Sequence, residues 1–73
     1  MTRDEHLELC KKRALEHMDA GEVDKAFTEM TNNLSHHPEL KNHPGIDIGI
    51  HMLLLPGWIS NPREVRRWIE GFR

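Results

Sequence analysis

The sequence predicts an all-α domain of four helices, an antiparallel helical hairpin followed by two shorter helices. Three observations carry that expectation. Apolar residues recur at three- and four-residue intervals through most of the chain. Gly21, Pro38 and the Pro56-Gly57 pair fall where that periodicity stops. Two segments, Thr2-Arg3-Asp4-Glu5 and Asn61-Pro62-Arg63-Glu64, have the spacing of a helix-starting capping box. With 73 residues there is room for a single domain, residues 1–73.

The first helix is expected over Arg3–Ala20, which contains neither Gly nor Pro. Leu7, Cys10, Ala14 and Met18 form its apolar stripe, and Leu15 widens it. Asp4, Glu5 and Glu8 suit the positive end of the helix dipole, and Gly21 is the natural stop. The second helix runs from Glu22 or Val23 to about His37, with Val23, Ala26, Phe27, Met30 and Leu34 on one face. Pro38 ends it. A turn as short as Ala20-Gly21-Glu22 makes the two helices antiparallel neighbours.

Pro38–His43 reads as a polar link. A third helix is expected over Gly45–Leu55, with Pro44 at its first position and Asn42 or His43 as cap. Ile46-Asp47-Ile48-Gly49-Ile50-His51-Met52 also alternates as a strand does, so strand remains an alternative there. A lone strand has no partner in so small a chain, which favours helix. Gly49 costs about 1 kcal/mol inside a helix unless it permits close packing. The fourth helix starts at Asn61 and Pro62, with Val65, Trp68, Ile69 and Phe72 on its apolar face.

The turn and second helix resemble one unit of a tetratricopeptide repeat. Gly21, Ala26, Leu34 and Pro38 stand at that motif's intervals, and Ala14 falls where its first helix has a small residue. Cys10 and Arg13 depart from the large aromatic and the leucine expected there. One unit fits in the chain where a solenoid needs about three, so the resemblance over residues 14–38 implies the hairpin and not the array. The opening stretch Thr2–Glu16, the His37-Pro38-Glu39 step and the closing Arg67–Phe72 resemble small uncharacterised proteins of tailed bacteriophages. That resemblance implies a phage origin and a host bacterial cytoplasm.

Composition limits function mostly by exclusion. The net charge is −2 with neutral histidines. Residues 1–40 carry five Lys and Arg against nine Asp and Glu, and residues 41–73 carry five against three. The chain thus has an acidic front and a basic end. A single cysteine, Cys10, argues for a reducing compartment. The longest apolar run, Met52–Leu55, is far too short to cross a bilayer. His6, Cys10 and His17 share part of one helix face, but no pair of close ligand motifs accompanies them, so no metal is expected. No phosphate-cradling glycine loop and no nucleophile–base arrangement is visible, so neither catalytic residues nor a cofactor are expected.

The residues singled out are Trp58, Arg63, Arg66 and Arg67. The three arginines are at i, i+3 and i+4 on the outer face of the fourth helix, and Trp and Arg are favoured at binding hot spots. Trp68 is expected in the core. Trp58 stands between two readings, a lid on the core and an exposed anchor. Leu53, Leu54, Leu55 and Ile59 offer more apolar surface than one short helix buries, which suggests a homodimer or a partner helix. A non-catalytic protein-binding module is the expectation. If phage-encoded, it would modulate a host protein by covering a functional surface. The alternative is a nucleic-acid-associated protein using Arg63, Arg66, Arg67 and Arg73 against phosphates. A third reading places a small anionic ligand between subunits.

Overall fold

Residues 2–73 are described by a computed structural model. It contains α1 (Arg3–Asp19), α2 (Val23–Ser35), α3 (Pro44–Leu53) and α4 (Pro62–Glu70), and no strand among those residues. The fold is all-α, and residues 46–52 are helical.

The start of α1 is the expected box. The Thr2 hydroxyl accepts from the Glu5 amide at 3.2 Å, and the Thr2 amide donates to the Glu5 carboxylate at 3.1 Å. Hydrogen bonding from Thr2, its amide foremost, holds the Glu5 carboxyl below its ordinary range. At the other end the chain closes a Schellman motif. The Glu22 amide donates to the His17 carbonyl at 2.8 Å and the Gly21 amide to that of Met18 at 3.0 Å. Gly21 takes φ +78, a conformation that costs a glycine nothing.

The second helix ends at Ser35, two residues short of the expected limit. Pro38 excludes the helical conformation at the residue before it, and the chain instead turns at His36 and His37. The polar link is not wholly polar. Successive turns from His37 to His43 swing Leu40 inward until it is fully buried.

Of the two candidate caps for α3, His43 is the one used. Its Nδ1 accepts from the Gly45 amide at 2.9 Å, so Nε2 carries the proton and donates to the Arg73 carbonyl at 2.9 Å. The box at α4 is only half formed. Asn61 accepts from the Glu64 amide at 3.4 Å, while the Asn61 amide donates to the Trp58 carbonyl at 3.0 Å.

One core joins the helices. Leu7, Cys10, Ala14 and Met18 of α1 face Ala26, Phe27, Met30 and Leu34 of α2, and every one of these is buried. The small side chains of Ala14 and Ala26 are fully enclosed. Val65, Ile69 and Phe72 lay α4 and its end across the hairpin. The last carbonyls of α4 find donors on the other elements. Lys11 Nζ reaches the Glu70 and Phe72 carbonyls at 3.3 and 3.0 Å, and an Arg3 nitrogen reaches that of Arg73 at 2.8 Å. Cationic donors there oppose the negative end of the helix dipole.

The third helix docks through Ile46, buried in the core, and through its glycines. A Cβ on Gly45 would stand 2.6 Å from the Phe72 ring, and one on Gly49 would stand 2.5 Å from the Trp68 ring. Two glycines four residues apart thus form a smooth face on which two aromatic rings, also four residues apart, are laid.

Candidate interaction surface

Burial of Val65 and Ile69 turns the arginines of α4 outward, as the spacing requires. They do not, however, form one free patch. Arg66 donates to the Asp19 carboxylate at 2.7 Å, tying α4 to the end of α1. Arg67 lies 3.6 Å from Glu64 one turn earlier, and its side chain remains 77% exposed. Arg63 is exposed and has no ion pair among the described residues. Arg73 contributes its carbonyl to the closure of the fold. The reason for the split is position. One side of α4 faces the acidic end of α1, and the other faces α3.

Trp58 is a lid on the core. It is 8% exposed, and its ring meets Phe27 and Trp68 edge-on at centroid distances of 5.8 and 6.0 Å. The Pro56-Gly57 turn, with Gly57 at φ +84, sends the chain back over the hairpin and carries Trp58 inward. The protruding anchor expected as one alternative is therefore absent. Trp68 stacks on Phe27 at 5.0 Å and donates its indole N–H to the Gly45 carbonyl at 2.8 Å. Such an amphipathic ring packs well only where its polar tip finds an acceptor.

Between α3 and α4 runs a shallow groove lined by Ile48, Met52, Trp58, Trp68, Glu64 and Arg67. Its floor is aromatic, one wall is aliphatic, and the other carries the charges of α4. It brings two of the singled-out residues, Trp58 and Arg67, to one place. Ile48 and Met52 were missed as site residues, because which side of α3 faces α4 depends on the Gly45–Gly49 contact. The surplus of apolar surface is larger than Leu53, Leu54 and Leu55 alone. Ile48, Ile50 and Met52 are exposed as well, and Leu54 reaches 77%. Ile59, by contrast, packs against the core.

His6, His17 and Cys10, the three residues of α1 that raised a metal site, each have a structural explanation. Cys10 is 2% exposed, and burial pushes its thiol up, away from the reactive thiolate. His6 Nε2 donates to the Asn33 carbonyl at 2.8 Å. His17 lies between two carboxylates, with Nδ1 3.3 Å from Glu22 and Nε2 in close contact with Glu29. Among the described residues no group of three His, Cys, Asp or Glu side chains is arranged to hold a metal ion. No described helix is long and apolar enough to cross a membrane. No protein-family model, curated protein or solved structure matches the chain.

Proposed function

We propose that this chain is a non-catalytic protein-binding module that works by covering a surface of its target. The observation that carries this reading is the groove between α3 and α4. An exposed arginine, Arg67, stands at the rim of an aromatic and aliphatic floor. That pairing suits protein recognition, in which an apolar centre supplies affinity and a charged rim supplies orientation. Arg63 extends the rim. The target side would present an apolar projection with acidic neighbours. The resemblance to tailed-phage proteins would make that target a protein of the bacterial cytoplasm.

Nucleic acid is the weaker reading. Arg66 is already neutralised by Asp19 and Arg67 is partly screened by Glu64, leaving few free charges for phosphates.

The test is capture from host lysate by the tagged protein, with nuclease, for the wild type and for Arg63→Glu with Arg67→Glu. These two positions are chosen because Arg66 serves the fold. The expected result is a stoichiometric protein retained by the wild type after nuclease and lost with the double variant. Loss of every partner on nuclease treatment would replace this reading with nucleic-acid binding. Equal retention by both proteins would remove the groove rim from recognition.

A further inference from the structure

A second copy of the chain is the occupant that best fits the outer face of α3 and the turn after it. Ile48, Ile50, Met52, Leu53, Leu54 and Leu55 are all large, aliphatic or thioether, and exposed. Together they leave the equivalent of about three whole side chains in water on one short element. Joining two such surfaces removes a large part of that amount from each copy, an appreciable gain for a chain whose own core holds fourteen buried residues.

Charge decides in favour of self-association. Pro44–Leu55 contains two ionisable side chains, Asp47 and His51. Both are exposed, they share one side of the helix at i and i+4, and they lie at opposite ends of it. Antiparallel packing of two α3 helices about a two-fold axis sets Asp47 of each copy against His51 of the other. The imidazole N–H then donates to the carboxylate twice over, as an isologous contact requires. A foreign target selected by the arginines of α4 would be acidic, and this face offers it a carboxylate and no lysine or arginine. We propose that the α3 face is an isologous dimer interface centred on Ile48–Leu55. Ile48 and Met52 also line the groove between α3 and α4, so a second copy and a captured target compete for them, while Arg63 and Arg67 stay outside the charged pairs of the dimer.

Sedimentation equilibrium of the purified full chain, from low micromolar to near-millimolar concentration, tests this. The wild type is expected to move from monomer to dimer across that range. Leu54→Glu, which alters the most exposed of the six, is expected to raise the dissociation constant about 100-fold, roughly tenfold from each copy. Circular dichroism checks that its helices persist. Asp47→Lys is expected to weaken the dimer, and adding His51→Asp in the same chain to restore it, because exchange of both charges rebuilds both contacts. A wild type that stays monomeric throughout overturns the proposal. So does an unchanged constant in Leu54→Glu, or a double exchange no better than Asp47→Lys alone.

Discussion

His17 is held by two acids that reach it from different parts of the hairpin. A neutral imidazole has one N–H, and both ring nitrogens face carboxylates, so only the protonated ring satisfies both. The hydrogen bond to Glu22 is the largest cause that raises the His17 pKa above its ordinary value, with Glu29 adding to it against some loss of solvation. A raised histidine stabilises the fold fully below its unfolded pKa of about 6.5, and that contribution disappears as pH rises through the folded value. Glu22 acts in the opposite sense. Lys25 first, then His17, hold its carboxyl below the usual range, so its contribution is present above about pH 4.5 and is lost as pH falls. The urea midpoint is expected to decline as pH rises above about 6.5, with the decline largely absent in His17→Gln. Parallel declines in both proteins would assign the pH dependence elsewhere. None of this was legible in the helix wheel of α1, where His17 is simply one side chain near the apolar stripe. Its partners lie five and twelve residues away and meet it only once the Schellman turn has reversed the chain.

At the scale of elements, α1, α2 and α4 declare themselves through caps and apolar spacing, and α3 does not. Its sequence satisfies a strand period and a helical face equally well. What selects the helix is tertiary: the Gly45–Gly49 face fits the Trp68–Phe72 rings, and the Trp68 indole closes a hydrogen bond on the Gly45 carbonyl. The matching four-residue spacing of the two glycines and the two aromatics was the signal available in the sequence. Gly49→Ala separates the two effects. Helix propensity alone predicts a gain of about 1 kcal/mol. The added methyl, however, would need space 2.5 Å from the Trp68 ring, and overpacking of this kind costs about 1–3 kcal/mol. Melting is expected to occur several degrees lower, since about 1 kcal/mol moves a domain of this size by roughly 4–8 °C. A higher melting temperature would mean that α3 is not docked through this face. Leu40 shows the same limit of local reading. Its burial follows from turns around Pro38 that no periodicity announces.

Across the whole molecule, the acidic front and basic end meet. Arg66 of the basic end binds Asp19 of the acidic front, and Lys11 and Arg3 bind carbonyls at the close of α4. Exposed pairs of this type contribute little each, about 0–1 kcal/mol. The core therefore carries the stability, and a core of this size supplies only about 3–5 kcal/mol. The same asymmetry explains why the candidate surface was half legible. The outward direction of the arginines follows from spacing, whereas which of them remain free depends on what lies across from α4.

The single thiol sits at the centre of that core, where α1 meets α2. It is a clock for the opening of the molecule. A thiol reagent reaches Cys10 only when the hairpin parts, so labelling is expected to run roughly two to four orders of magnitude slower than in urea-unfolded chain. Labelling as fast as in the unfolded chain would place Cys10 outside the cooperative core. Because the probe is native, anything that closes over the folded chain will register as a slower clock. A second copy would slow it as protein concentration rises, and a captured target would slow it in proportion to target added. One buried sulfur thus times both associations with no label attached to either surface.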